Sequence, residues 1–119
     1  MAAAHYKLDN LCIVVDNNGL QIDGPVAEVM SPYPIVDKLK AFGFHVMAID
    51  GHDFDAIEAA LNEAKTVKGQ PSAIVMKTVK GKDVSFMENN AGWHGKAPND
   101  AEYAQAMGEL KALLAELEG

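Results

Sequence analysis

Leu11-Cys12-Ile13-Val14-Val15 is the stretch that decides the fold of this 119-residue chain. Two further runs of the same kind, His45 to Ile49 and Ala73 to Val79, follow later in the sequence. All three are mostly apolar and rich in Val and Ile, a composition typical of strands buried on both faces of a parallel sheet. We therefore predict three parallel strands, with Cys12 as a buried and unreactive thiol.

Helical patterns separate and follow these strands. Pro34 to Phe42 has apolar residues at helical spacing, and Gly43 supplies a stop. Asp53 is a candidate N-cap for a second amphipathic helix, and Asn99 opens a capping-box-like start for the last and longest one. The predicted apolar face of that last helix contains Met107, Leu110, Leu114 and Leu117. The order predicts an α/β fold, a three-layer parallel sheet in a single domain over residues 1–119.

Composition and charge disfavour several classes of function. The chain has 10 Lys+Arg against 17 Asp+Glu and a formal charge of -7, which repels nucleic acid and anionic membrane surfaces. Its apolar runs are far shorter than the roughly 20 residues that span a bilayer, and its start lacks the basic residues of a secretion signal. We predict a cytoplasmic protein.

Three strands make a small sheet with exposed edges on both sides. Residues 1–8 read as the end of a helix that leads into the first strand, which is an unusual place for a self-contained domain to begin. The sequence therefore predicts an incomplete fold that associates with other chains or with copies of itself.

Two long connections, residues 16–33 and 80–98, are dense in Gly, Asn, Asp and His. Loops at the carboxyl ends of parallel strands are where α/β proteins bind ligands. Directly after the first strand, the Asn18 amide oxygen and a nearby main-chain carbonyl would suit Mg²⁺ or Ca²⁺ bridging a diphosphate. On composition alone the same stretch also fits an ordinary turn, in which Asn and Gly supply left-handed conformations.

Five segments, in order along nearly the whole chain, resemble the thiamine-diphosphate-binding region of transketolase N-terminal subunits. They are residues 4–24, which look like the second half of the cofactor motif, then 41–46, 49–53, 77–81 and 93–98. The resemblance implies a truncated thiamine-diphosphate-binding fold from an enzyme that moves two-carbon ketol units between sugar phosphates. The implied cofactors are thiamine diphosphate and Mg²⁺ or Ca²⁺.

The resemblance also implies the site residues. Asn18 would give its side-chain oxygen, and Leu20 its main-chain carbonyl, to the divalent ion that holds the diphosphate, with Gly19 between them in the cofactor site. His94 would lie near the diphosphate and the substrate channel as a cofactor-binding and catalytic residue. His52 looks structural in this pattern.

The sequence departs from the family pattern in what it lacks. The Gly-Asp-Gly start of the motif, with another metal ligand, is absent, and so is the region that carries the glutamate activating the cofactor. Asp83 stands where the family usually has glycine. We therefore expect the isolated chain to be inactive and to bind the cofactor weakly or undetectably.

Two interpretations of different classes follow. In the first, complementary transketolase chains supply the missing parts and the assembly transfers ketol units. In the second, the chain is a catalytically inactive, truncated α/β fragment that folds as a homo-oligomer without cofactor. A flavodoxin-like receiver or nucleotide binder also fits the strand order, but no Gly-x-Gly-x-x-Gly or Walker loop follows any strand.

Overall fold

Strands and helices alternate in the computed structural model, which describes all 119 residues, Met1–Gly119. In chain order the elements are α1 (Ala2–His5), β1 (Cys12–Asn17), β2 (Leu20–Gln21), β3 (Gly24–Pro25), α2 (Val26–Val29), α3 (Ile35–Ala41), β4 (His45–Asp50), α4 (Phe54–Thr66), β5 (Ser72–Lys77), a 3-10 turn (Ala91–Trp93) and α5 (Asp100–Glu118). They form two packing units, Met1–Asn18 with Met30–Thr78, and Gly19–Val29 with Val79–Gly119. One domain over residues 1–119 stays a prediction.

The first unit is built on a three-stranded sheet in the order β1-β5-β4, with both pairs parallel. Val14, Ile74 and Met47 stand side by side in its central row. Met47 and Ile74 pack with Ala60 and Ala64 of α4 on one face. Val36 of α3 and Val75 of β5 line the same cavity on the other face. The predicted α/β fold with a parallel sheet of three strands is confirmed.

Burial of the strands differs from the prediction. Only the central strand β5 is buried on both faces, through Ser72 to Val75. β1 alternates between exposed and half-buried residues, because it is an edge strand. The prediction of a buried thiol was wrong, since Cys12 lies on β1 and is exposed.

The helix ends of the first unit follow the sequence signals. Asp53 caps α4, accepting hydrogen bonds from the backbone N–H groups of Asp55 and Ala56. α3 is followed by Gly43 at φ +85°, a left-handed conformation that glycine adopts at helix ends. The cap at Asp53 and the stop at Gly43 are therefore confirmed.

The second unit contains the small β2–β3 hairpin, α2, the segment 79–98 and α5. Asn99 and Glu102 form the complete capping box predicted for α5, which is the longest helix at 19 residues. Its predicted apolar face is not the buried one. Ala106 is the buried residue of α5, while Leu110, Leu114 and Leu117 are exposed. No helix of the chain is long and apolar enough to cross a membrane.

Candidate cofactor-anchoring site

Polar side chains mark the carboxyl edge of the sheet. Asn17, Lys77 and Asp50 end their three strands in a single row. The Tyr33 hydroxyl donates to the Asn17 side-chain oxygen at 3.0 Å, and the Thr78 hydroxyl donates to the Asp16 carboxylate. These contacts fix the end of β1, the strand from which the candidate metal ligands follow.

Asn18, Gly19 and Leu20 lead from the end of β1 into the hairpin. Gly19 has φ +76°, a backbone conformation that side-chain-bearing residues rarely adopt, and its carbonyl accepts from the Val26 N–H at 2.9 Å. Leu20 then pairs with Pro25 as β2 begins. Both Asn18 and Leu20 are half-buried. The left-handed glycine thus makes a sharp turn between the two candidate ligands, which stand two positions apart along the chain.

The donor set suits a hard divalent cation but does not complete its shell. An amide oxygen and a main-chain carbonyl are ligands that Mg²⁺ and Ca²⁺ accept, and these ions require about six oxygens or more. No group of three or more His, Cys, Asp or Glu side chains lies together anywhere in the chain. Asn18 and Leu20 therefore fit as part of a site whose remaining ligands come from cofactor, water or another chain.

His94 lies in the second unit, at the end of the 3-10 turn. The Asn90 side chain caps this turn by accepting from the Gly92 N–H, and the His94 N–H donates to the Ala91 carbonyl. The His94 side chain is exposed. An exposed imidazole on a capped turn can donate to a phosphate or sugar oxygen.

Trp93 holds this turn in place. Its indole N–H donates to the Phe86 carbonyl at 3.0 Å, and the two rings lie 5.3 Å apart. The Lys96 ammonium sits 3.9 Å from the Trp93 ring centroid and also contacts Glu102 at 2.9 Å. This contact of Lys96 was not predicted from the sequence. The position of Lys96 three residues after Trp93 is the signal that could have indicated it.

The start of the segment that follows β5 has left-handed backbone at Gly81 and Asp83. Gly81 has φ +70°, and a Cβ there would come within 2.6 Å of the Met87 carbonyl oxygen. Asp83 has φ +68° without being glycine. Its carboxylate pairs with Lys82 at 2.6 Å, and its N–H donates to Glu88. The family's usual glycine at this position is therefore what the backbone conformation favours.

Hydrogen bonds lower the pKa of two carboxylates on α5. The Ser85 hydroxyl, then Gln105 and the Ser85 N–H, lower the pKa of Glu109, with Ser85 donating at 2.6 and 2.7 Å. A hydrogen bond from Lys96, then the Asn99 N–H, lowers the pKa of Glu102. Both carboxylates are therefore held by hydrogen bonds within the second unit.

The other histidines have structural surroundings. The His45 imidazole contacts the Glu63 carboxylate at 2.6 Å, and His5 stacks edge-on against Tyr6. The His52 N–H donates to the Asp50 carboxylate at 2.9 Å, which shapes the connection from β4 into α4. This agrees with the structural role predicted for His52.

The chain has the architecture of an open α/β protein: a parallel sheet, with a glycine turn and oxygen donors directly after an edge strand. Proteins of this class generally bind ligands at the carboxyl edge of the sheet. The family can be stated directly. Residues 1–112 match the model of the transketolase, thiamine diphosphate binding domain, and the chain belongs to this family.

Transketolase subunits are among its curated relatives. The chain is 40% identical over 111 residues to the 6-deoxy-6-sulfo-D-fructose transketolase subunit SqwG of Clostridium sp. (strain MSTE9), covering 93% of this chain and 40% of that subunit. It is 36% identical over 118 residues to an apulose-4-phosphate transketolase subunit of Phocaeicola vulgatus, covering 99% of this chain and 42% of that one. The chain thus spans about two fifths of the length of these relatives.

Solved transketolases share the fold. The enzyme of Campylobacter jejuni superposes with a TM-score of 0.79 at 31% identity, covering 88% of this chain and 16% of the other. A transketolase of Pichia stipitis in complex with sedoheptulose-7-phosphate gives a TM-score of 0.81 at 30% identity, with the same shares covered. This chain therefore matches only a small part, 16%, of the length of each of those enzymes.

Proposed function

We propose that this chain is the diphosphate-anchoring part of a transketolase assembly. The observation that supports this most is the Asn18-Gly19-Leu20 turn, which follows β1 and presents an amide oxygen and a carbonyl on either side of a left-handed glycine. The family match over residues 1–112 supports thiamine diphosphate, held through Mg²⁺ or Ca²⁺, as the ligand of this turn.

Each residue of the proposed site has one task. The Asn18 side-chain oxygen and the Leu20 carbonyl hold the ion, and Gly19 permits the turn between them. The exposed His94 imidazole donates a hydrogen bond to a phosphate or sugar oxygen, which positions substrate or cofactor. The cofactor, when bound, supplies the carbon nucleophile and electron sink for two-carbon ketol transfer between sugar phosphates.

The isolated chain is proposed to be inactive. Two protein ligands leave most of the coordination shell of the ion unfilled, and the parts of the family pattern that activate the cofactor lie outside this sequence. We expect a complementary chain to supply them, and the names of the relatives as subunits support an assembly of more than one chain.

The test is reconstitution with a matched pair of variants. The chain is mixed with the part of the Clostridium subunit that it does not match, together with any further subunit of that enzyme, and ketol transfer is followed against cofactor concentration. Asn18→Ala is expected to raise the apparent cofactor Kd by about tenfold or more, since it removes one hard oxygen ligand. Asn62→Ala, the same change on the exposed side of α4, should leave the titration unchanged.

Two results would contradict the proposal. One is unchanged cofactor dependence in the Asn18→Ala mixture. The other is a formed complex of all chains in which no ketol transfer occurs at any cofactor concentration.

In a second candidate interpretation, the chain is a catalytically inactive fragment that binds no cofactor and assembles with copies of itself. It is favoured by the exposed apolar stripe of α5, where Leu110, Leu114 and Leu117 lie at helical spacing without burial. A homo-oligomer whose mass and thermal stability do not change when thiamine diphosphate and Mg²⁺ are added would favour this interpretation over the first.

A further inference from the structure

The turn that contains His94 is closed by a side chain that follows it. Gly95 has φ +81°, a left-handed conformation, and after it Lys96 lies back against Trp93. The Lys96 ammonium is 3.9 Å from the centroid of the Trp93 ring, a distance at which the face of the ring attracts a cation. His94 therefore lies between two residues whose side chains contact each other.

Lys96 is also fixed to α5. Its ammonium donates to one oxygen of the Glu102 carboxylate at 2.9 Å, and the Asn99 N–H donates to the other oxygen at 2.8 Å. The Asn99 side chain in turn accepts from the Glu102 N–H, which completes the capping box of the helix. Because both oxygens of Glu102 are engaged, its carboxylate has a defined position in the first turn of α5. Lys96 is thus held by the capped end of the longest helix.

Trp93 has a second anchor in Phe86. The indole N–H donates to the Phe86 carbonyl at 3.0 Å, and the two ring centroids are 5.3 Å apart. Trp93 is half-buried, whereas His94 is exposed and is held through its backbone N–H, which donates to the Ala91 carbonyl. The orientation of the His94 imidazole therefore depends on how firmly the residues on either side of it are held.

We propose that Lys96 is a positioning residue for His94. By joining Trp93 to Glu102, it keeps residues 93–96 in one conformation and presents the His94 imidazole to the ligand in a fixed orientation. This inference rests on the proposed function, in which His94 donates to a phosphate or sugar oxygen, and it adds a residue that acts through His94. Such a contact depends on geometry, since a displacement of about 1 Å can lower a rate by about a hundredfold.

The contacts of Lys96 are local. Its side chain is 50% exposed and that of Glu102 is 26% exposed, and ion pairs and cation–π contacts at exposed positions are individually weak. Loss of both contacts should therefore open the turn while α5 stays folded. Circular dichroism of each variant checks that the helices remain.

The first measurement uses the chain alone, without cofactor. Trp93 is the single tryptophan, so its indole N–H gives one NMR signal that reports on the turn. Lys96→Gln removes the charge and is expected to speed hydrogen exchange of the Trp93 indole and of the His94 N–H by about fivefold, the sum of two weak contacts. Lys96→Arg keeps a cation for the ring and the carboxylate and should restore the parent rates. Lys111→Gln, which removes the same charge from an exposed position on α5, should change neither rate.

The second measurement asks whether Lys96 acts through His94. The chain is mixed with the complementary part of the Clostridium subunit, thiamine diphosphate, Mg²⁺ and 6-deoxy-6-sulfo-D-fructose, the ketose in the name of that subunit. Lys96→Gln is expected to lower kcat/KM of ketol transfer by about fivefold, and Lys96→Arg should restore it. In a His94→Gln background, Lys96→Gln should have no further effect, because the side chain that it orients is gone.

Three results would overturn the proposal: parent exchange rates in Lys96→Gln, failure of Lys96→Arg to restore them, or an effect of Lys96→Gln on ketol transfer that persists in full without His94. The last result would mean that Lys96 contacts the anionic ligand directly. Where a mixture shows no ketol transfer, the exchange rates decide. An inactive parent mixture combined with faster exchange in Lys96→Gln would count against the proposed function and leave the role of Lys96 in the turn standing.

Discussion

Asp83 is a residue whose side chain does not suit its backbone conformation. Its φ of +68° lies in the left-handed region, which costs a residue with a side chain roughly 1–2 kcal/mol, although Asp tolerates this region better than most. Its carboxylate gains only an exposed contact with the neighbouring Lys82, an interaction of small value. The backbone conformation therefore outweighs the ion pair.

We predict that Asp83→Gly stabilises the chain by about 0.5 kcal/mol, because glycine adopts this conformation without the steric cost. Thermal unfolding of the purified variant measures the change. The control is Asp37→Gly in the first turn of α3, where the backbone is helical. Glycine there loses helix propensity and an acidic group near the helix N-terminus, so it should destabilise the chain by about 0.5 kcal/mol. A lower unfolding midpoint for Asp83→Gly would show that the carboxylate contributes more than its conformation costs.

Elements could be predicted from the sequence where the signal is local. The caps at Asp53 and Asn99 are satisfied by neighbours within a few residues, so composition was enough to find them. Burial could not be predicted in the same way. The runs of β1 and β5 look alike in sequence, but β5 is central and β1 is an edge, and strand order is a property of the whole sheet.

The prediction that the apolar face of α5 is buried was wrong for a related reason. A periodic stripe such as Leu110, Leu114 and Leu117 predicts that a face will be buried, but it does not specify the partner that covers it. The candidate site likewise has parts that local sequence predicts and parts that depend on the folded chain. The Gly19 turn and its oxygen donors could be proposed from local sequence, whereas the contacts of Trp93 with Phe86 and Lys96 required the folded loop.

At the scale of elements, Ser85 connects the segment before α5 to the helix itself through Glu109. The folded-state pKa of Glu109 is lowered, so the contact contributes stability above the unfolded pKa of about 4.3 and loses it as the pH falls through the lowered value. Ser85→Ala should therefore lower the unfolding midpoint at neutral pH, and the difference from the parent chain should narrow in acid.

Thermal unfolding of both proteins between about pH 3 and pH 7 measures this narrowing. Ser31→Ala, which removes a hydroxyl from a loop without a carboxylate partner, should give a difference that does not vary with pH. A constant difference for Ser85→Ala across the same range would contradict the assigned role of Glu109.

At the scale of the whole molecule, the candidate metal site is incomplete. Asn18 and Leu20 offer two protein ligands to an ion that requires about six. The family match over residues 1–112 supports thiamine diphosphate as the group held there, and the names of the relatives as subunits support an assembly of more than one chain. In the proposed account, the chain is one part of an assembly that shares its cofactor site with another chain.

The most direct test is calorimetric titration of thiamine diphosphate at saturating Mg²⁺ into the chain alone and into its complex with the complementary part of the Clostridium subunit. We expect no measurable heat of binding for the chain alone, and saturable binding by the complex that EDTA abolishes and Asn18→Ala weakens. Tight, Mg²⁺-dependent binding by the chain alone, or a formed complex that binds no cofactor, would contradict the account.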